Sequence, residues 1–361
     1  MQDYSRKLVV AGTHGKTTTT GLMVHILDVA GVTPSFMVGG ELPPYFTNGR
    51  YSQSSTFIAE SDESDGSFLH LTPDAAILTN IEQEHLNYYK TPENLYNAFS
   101  KFIDKTLKND GHIIVNKDDS KLVELCSNIK QDNIIYFAIN NTNAQFSAKN
   151  IEFKPTSVVF DVYHYDKICG CVDVNLLGMH NVYNVLSCVA LALNIGISFE
   201  KIAEGLRNFK GVKRRLQLIS EAKNIKVFDD YGHHPTEVKV TINGLKKAQP
   251  GNLTCVFQPH RYSRVKEHLI DFFDAFNEVD KLLLTPIYSA NESAKTPELL
   301  EEMISGIKMK MKGEVLVFQE YQDIVKYLSS SLKSGDILLT MGAGDIFKVS
   351  HQLAEFYKDK K

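Results

Sequence analysis

The chain has 361 residues, is 43% hydrophobic and 23% charged, and carries a formal net charge of −4. That length exceeds what one hydrophobic core commonly organises, so two α/β domains, or three, are expected. The slight negative charge removes the electrostatic case for nucleic-acid binding, and every apolar run is far too short to span a bilayer.

In chain order, the apolar run 8–11 reads as a short buried strand. Gly12, Thr13, His14 and Gly15 break it, Lys16, Thr17, Thr18 and two more threonines follow, and 21–30 reads as a helix. Strand, glycine turn, Lys-Thr and helix is the layout of a phosphate-binding loop. Glycines let backbone N–H groups approach phosphate oxygens, the helix N-terminus adds its positive dipole end, Lys16 supplies a point charge, and Thr17 is placed to ligate magnesium. The strict G-x-x-x-x-G-K-[ST] pattern fails, because Val10 stands at its first glycine; an ordinary βα turn is the alternative.

Residues 35–38 look like a second strand and 55–60 like a third, which delivers the acidic run ESDESDGSF at 60–68. Ligands gather at the C-terminal edge of open α/β sheets, so Glu60 is read as a magnesium ligand, against the alternative of a solvated acidic turn. Strand 75–79 follows and leads to His85, 25 residues after Glu60 and one strand later, so both can face one edge. A helix over 92–105, a strand over 112–116 and a helix over 120–129 come next. Alternating apolar and polar residues over 146–177 predict antiparallel sheet with one solvated face. GMHNVYN at 178–184 opens a long apolar helix through 192, where Asn181 and Asn184 are candidate caps. FKGVKRR at 209–215 reads as an interdomain hinge.

The last third alternates strands (225–229, 253–257, 281–284, 315–318, 337–340) with helices (235–247, 268–276, 346–357), which predicts a parallel sheet. Two strand-end loops, DDYGHHP and PHRYSR, bring Asp230, Tyr231, His233, His234, His260, Arg261 and Arg264 to one edge. Arg261 and Arg264 suit bidentate contacts to carboxylate or phosphate; a salt-bridged surface is the alternative. GAGD at 342–345 lacks dinucleotide-binding spacing. The five cysteines are odd in number and lack C-x-x-C spacing, and no charged-then-apolar signal segment is legible, so reduced thiols and a cytoplasmic location are expected.

GTHGKTTTT, the segment TNIEQEH, GMHNVYN, FKGVKRR, DDYGHHP and PHRYSR together resemble the Mur ligases, the peptidoglycan-precursor amide synthetases, and among them the branch that joins L-alanine to UDP-N-acetylmuramate. Two positions depart from the family's TNI-x-x-DH-x-D pattern, Glu84 and Asn87 standing for its aspartates. The resemblance implies an α/β fold: a central P-loop-type ATPase domain (1–210) with a mostly parallel sheet plus a small antiparallel sheet, then a Rossmann-like C-terminal domain (211–361). It also implies that the family's N-terminal UDP-substrate domain is absent and that activity is impaired. ATP and Mg²⁺ are the implied cofactors. Gly12, Thr13, His14, Gly15, Lys16, Thr17 and Thr18 would hold the ATP phosphates, Asn181 and Asn184 the adenine, and Arg215 and Asp230 would touch the nucleotide. Thr17, Glu60 and His85 would hold metal; Tyr231, His233 and His234 would line the amino-acid side, and Arg261 and Arg264 would orient carboxylates. The implied partners are ATP, L-alanine and UDP-N-acetylmuramate, in a monomer or weak homodimer. The rivals are a tripeptide-recycling or folylpolyglutamate-type ligase, and a P-loop nucleotide-binding module without ligase activity.

Overall fold

A computed structural model describes residues 4–129, 131–292 and 296–358. The chain divides between Lys213 and Arg214 into two compact units.

The first unit is built on a ten-stranded sheet. Its strands are β1 (Arg6–Ala11), β2 (Ser35–Leu42), β3 (Thr47–Arg50), β4 (Thr56–Glu60), β5 (Ala75–Leu78), β6 (His112–Asn116), β7 (Ile134–Ala138), β8 (Phe146–Phe153), β9 (Val158–His164) and β10 (Lys167–Val174), in the order β10-β9-β8-β7-β6-β5-β1-β4-β2-β3. Every pairing from β8 across to β2 is parallel, while β3 and the β8–β9–β10 meander are antiparallel. The expected antiparallel strands are therefore present, and a short parallel pairing of β7 with β8 joins them to the main sheet.

Leu8 and Val10 pack on one face of β1, Val9 and Ala11 on the other, and all four are fully buried. Successive side chains point to opposite faces, so an unbroken apolar run is what a strand covered on both sides requires. On one side lie the helices Lys16–Val29 and Met179–Asn194, and on the other Pro92–Lys108, whose Phe99 and Phe102 are buried against Phe68. Pro92–Lys108 starts as the sequence indicates: Thr91 Oγ1 accepts from Asn94 N–H, and Pro92 occupies the first turn, where its missing N–H costs nothing.

The first helix begins at Lys16, five residues earlier than the threonine run suggests. Burial of Thr17–Thr20 and a bond from Thr20 Oγ1 to Lys16 O overcome the weak helix preference of β-branched residues. Register fixes the working edge. Val10 pairs with Glu60 and Ala11 with Leu78, so the segments leaving β1, β4 and β5 emerge side by side.

The second unit has a six-stranded sheet: β11 (Gln217–Ala222), β12 (Ile225–Asp230), β13 (Leu253–Phe257), β14 (Lys281–Leu284), β15 (Glu314–Val317) and β16 (Ile337–Met341), in the order β11-β12-β16-β13-β14-β15. Only β11 is antiparallel to its neighbour. The helix expected over 268–276 spans Leu269–Phe273, and a short helix, Tyr262–Glu267, precedes it and meets it at His268, so Arg264, expected in a loop, sits on a helical turn. The glycines of GAGD serve close packing: a Cβ on Gly344 would lie 2.2 Å from Gln258 Oε1. Among the described residues no helix is long and apolar enough to cross a membrane, and all five cysteines are free.

Candidate active site

In the first unit the site is built around Lys16. Its side chain is only 12% exposed. Its ammonium donates to Gly12 O (2.6 Å), Thr13 O (3.1 Å) and Glu63 Oε2 (2.7 Å), with Asp62 Oδ1 at 3.7 Å. Burial acts to lower the Lys16 pKa, but Glu63, Asp62 and Glu60 outweigh it and hold the ammonium charged.

Two glycines make this loop possible. Gly12 has φ +129°, and a Cβ there would lie 2.2 Å from Thr79 Oγ1; Gly15 has φ +83°, and a Cβ would lie 2.6 Å from Asn184 Oδ1. No L side chain fits either place. Asn80 fastens the turn from the neighbouring strand end: its Oδ1 accepts from His14 N–H (2.8 Å), its Nδ2 donates to His14 O (3.1 Å), and its carbonyl accepts from Thr13 N–H (3.0 Å). Thr13 Oγ1 accepts in turn from Glu82 N–H.

The acidic run leaving β4 divides its labour. Glu60 Oε1 accepts from Thr17 Oγ1 (2.7 Å), and its Oε2 from Gly39 N–H (2.5 Å), where the bare glycine leaves room for the carboxylate. Glu63, which is 1% exposed, lies between Lys16 and His85, whose Nε2 is 3.5 Å from Glu63 Oε1 and 3.5 Å from Glu84 Oε2. The sequence pairs His85 with Glu60; the carboxylate beside it in the structure is Glu63. Burial acts to lower the His85 pKa, but Glu63, Glu84 and Asp62 raise it overall. His85 also holds a left-handed backbone (φ +61°), uncommon for a residue with a side chain.

One ligand atom from each of Asp62, Glu63 and His85 lies within 4.8 Å of the others, and the buried Glu63 Oε1 makes no hydrogen bond. Oxygen-rich donors with a carboxylate lone pair left over suit a hard divalent cation.

Asn181 and Asn184 are each 5% exposed. They do not cap their helix. Asn181 Nδ2 donates to Leu177 O, Asn184 Nδ2 donates to Asn181 Oδ1, and Asn184 backs directly onto Gly15. Thr18 is buried at 8% exposure in the first turn of its helix.

In the second unit the predicted residues gather where β12 and β13 end. Asp230 does not reach outward. Its Oδ1 accepts from Gly232 N–H (2.7 Å) and its Oδ2 from Leu216 N–H (2.6 Å), leaving the residue 6% exposed. These two bonds fix the backbone next to Arg215. Burial pushes its pKa up to about 6, against the lowering effect of Arg215. The hinge arginines diverge. Arg214 donates to Asp229 Oδ2 (3.1 Å) and Gly342 O (2.5 Å) between the rings of Tyr231 and Phe347, whereas Arg215 lies over Tyr231 at 5.3 Å from its centroid. His234 is a helix N-cap, 5% exposed, whose Nδ1 accepts from Thr236 N–H while Glu237 closes the capping box.

His233, His260 and Arg264 form one cluster. His233 Nδ1 is 3.1 Å from Tyr231 O, the His233 and His260 rings are 5.6 Å apart, and Arg264 Nη1 is 3.1 Å from His260 Nδ1. Arg261 is exposed with φ +67°, held by its N–H to Tyr288 O (2.8 Å) while Tyr288 N–H bonds Pro259 O (2.8 Å). Tyr288 stacks on His260 at 5.5 Å, a support that sequence reasoning missed.

A glycine–lysine–threonine loop at a parallel-sheet edge, ringed by carboxylates and followed by a second α/β unit bearing arginines and histidines, defines a nucleotide-phosphate-binding enzyme of two α/β units. Residues 10–192 match the Mur ligase middle domain, and 214–344 match the family described as Mur ligase, glutamate ligase domain. The chain belongs to the Mur ligase family. It is 37% identical to a UDP-N-acetylmuramate–L-alanine ligase of Pelotomaculum thermopropionicum, over 98% of this chain and 76% of that protein. A protein of the same name from Clostridium acetobutylicum is 38% identical, over 97% of this chain and 75% of the relative. The crystal structure of the UDP-N-acetylmuramate–alanine ligase of Thermotoga maritima superposes with a TM-score of 0.84 at 24% identity, covering 100% of this chain and 77% of that one.

Proposed function

We propose that the chain joins L-alanine to UDP-N-acetylmuramate by ATP-dependent amide formation, a step of peptidoglycan-precursor synthesis. The observation that carries this is identity of 36–38% over nearly the whole chain to relatives bearing that name, with the Gly12–Thr17 turn intact at the sheet edge. In the first step a substrate carboxylate oxygen attacks the γ-phosphorus of ATP, and the β–γ bond breaks to give acyl phosphate and ADP. In the second the alanine nitrogen attacks the acyl carbon, the C–O bond to phosphate breaks, and the nitrogen loses a proton.

The first step brings two anions together, so positive charge decides its rate. Lys16 exchanges its contact with Glu63 for phosphate oxygens, and the N–H groups of 15–17 at the helix start bind the same phosphates, those of Thr13 and His14 being held by Asn80. Asp62, Glu63, His85 and the Thr17–Glu60 pair are the residues that would hold Mg²⁺. When bound, the ion neutralises phosphate charge. Asn181 and Asn184 hold the loop from behind and present the adenine side, and Arg215, seated by Asp230, reaches the nucleotide. Arg261 and Arg264 orient carboxylates beside Tyr231 and His233, and His234 fixes the end of the helix that follows them. The reaction uses small molecules only, and we place it in the cytoplasm, where the five thiols stay reduced.

Phosphate release tests the reading. It should require ATP, UDP-N-acetylmuramate and L-alanine together, with the amide product visible by mass spectrometry. Release that ignores L-alanine would leave an ATPase and remove the ligase assignment.

A further inference from the structure

Glu63 reaches both Lys16 and His85 from within the acidic run, and its backbone is held as well as its side chain. The Glu63 carbonyl accepts twice, from Gly66 N–H (3.0 Å) and from the Tyr89 hydroxyl (2.5 Å). The two bonds differ in reach. The first closes a four-residue turn, and a turn can close in that way wherever it falls along the run. The second comes from 26 residues away and fixes where it falls. Tyr89 is itself firmly seated. It is 7% exposed, in the apolar cluster that contains Phe68 and Phe99, and Tyr88 packs edge-on against its ring at 4.9 Å. It ends a one-turn helix, Leu86–Tyr89, that starts from His85, and its N–H bonds His85 O (3.1 Å). Its own carbonyl accepts from Asn94 Nδ2 (2.7 Å), at the start of the helix Pro92–Lys108. A carbonyl only accepts, so the phenol is the donor. Burial and the charge of Glu63 raise its pKa, which keeps that proton in place. One short segment thus presents His85 to the Glu63 side chain and Tyr89 to the Glu63 backbone.

We propose that Tyr89 is a positioning residue for the cation site: by fixing the Glu63 carbonyl, its hydroxyl selects Glu63, rather than Asp62 or Asp65, as the carboxylate buried between Lys16 and His85. This rests on the reading above, in which these residues hold the ion. Without the Tyr89 bond the turn at 63–66 keeps its local closure but is free to shift. A shift of one residue turns a different side chain inward. The arrangement that binds the ion then makes up only a fraction of the population, and the apparent affinity falls by that fraction.

A double-mutant cycle on metal affinity tests this. Mn²⁺ is titrated into the full chain with a non-hydrolysable ATP analogue, and the free ion is read by electron paramagnetic resonance. Y89F keeps the buried ring and removes only the hydroxyl. It should weaken Mn²⁺ binding about fivefold, the worth of one hydrogen bond. E63Q should weaken it by more. The double variant should match E63Q to within about twofold, because Tyr89 acts through Glu63. A role in general stability would instead lower affinity alike in both backgrounds. If Y89F does not fold, N94A, which frees the Tyr89 carbonyl from an exposed position, takes its place in the cycle with the same direction expected. A first variant that binds Mn²⁺ like wild type, or effects that multiply in the double variant, would overturn the proposal. If E63Q binds Mn²⁺ like wild type, the cation reading fails and the role of Tyr89 fails with it. If the cycle runs as described while phosphate release ignores L-alanine, Tyr89 keeps its role and the ligase reading falls.

Discussion

Lys16 and Glu63 show how a side chain with a functional task becomes part of the interior. Lys16 is 12% exposed and Glu63 1%, 2.7 Å apart, so neither can be removed alone without leaving a buried charge behind. Breaking such a pair from one side costs about 3–5 kcal/mol when the remaining charge is fully buried, and less when it can take up a proton. Lys16→Ala should therefore both abolish ATP-dependent chemistry and lower the unfolding free energy by about 1–3 kcal/mol. Adding Glu63→Gln should return most of the stability and none of the activity. Chemical denaturation and phosphate release on the single and double variants separate the two effects; activity regained in the double variant would show that Lys16 does not serve the phosphates. The sequence made Lys16 legible because glycine, lysine and threonine occur in a fixed order. It did not single out Glu63, because the acidic run offers Glu60, Asp62, Glu63 and Asp65 on equal terms. Which of them lies beside Lys16 depends on the turn after β4, a tertiary fact. Asp230 and His234 have a task that text does not show: both side chains hold backbone, at Leu216 and Gly232 and at the start of the helix Pro235–Ala248.

At the scale of elements, the loop between β1 and its helix depends on two empty spaces. Gly15→Ala would place a methyl 2.6 Å from Asn184 Oδ1 in a left-handed backbone. The backbone term alone costs about 1–2 kcal/mol, and the clash adds to it. We expect Gly15→Ala to lose roughly 1–3 kcal/mol of stability and to weaken nucleotide binding. Asn184→Ala in the same chain should relieve the clash but not the backbone strain, so recovery should be partial. Full recovery, read by thermal unfolding, would mean that φ +83° is not required there. Legibility follows the same physics. β1, β6, β13 and β14 are apolar runs buried on both faces, and their pattern is visible without neighbours. β7 and β11 were not, nor were the helices Glu298–Lys310 and Tyr321–Ser331. β11 is an edge strand with no residue counted as buried, and β7 is followed closely by turn-forming residues that mask its run. The helix expected over 268–276 is Leu269–Phe273, and the separate helix Tyr262–Glu267, in a stretch that reads as loop, ends at His268, whose backbone (φ −114°, ψ 25°) leaves the helical path.

For the whole molecule, the parallel sheets decide where chemistry can occur, since strands in register deliver their following loops to one edge of each unit. That much was legible: the glycine loop, the acidic run and His85 in one unit, and the loops DDYGHHP and PHRYSR in the other, each fall where strand ends predict. The allocation of roles within each group was not, because it rests on distances of a few ångströms set by packing. In the proposed reaction a substrate carboxylate is phosphorylated before the amine attacks, and transfer of a carboxylate oxygen to phosphate reads that order. UDP-N-acetylmuramate carrying ¹⁸O in its carboxylate is incubated with the chain, ATP, Mg²⁺ and L-alanine, and the released phosphate is weighed by mass spectrometry. Acyl-phosphate chemistry predicts one ¹⁸O in each phosphate formed, matched by one amide product, even where turnover is slow. Phosphate that contains no ¹⁸O from the carboxylate, in the presence of all three substrates, would contradict it.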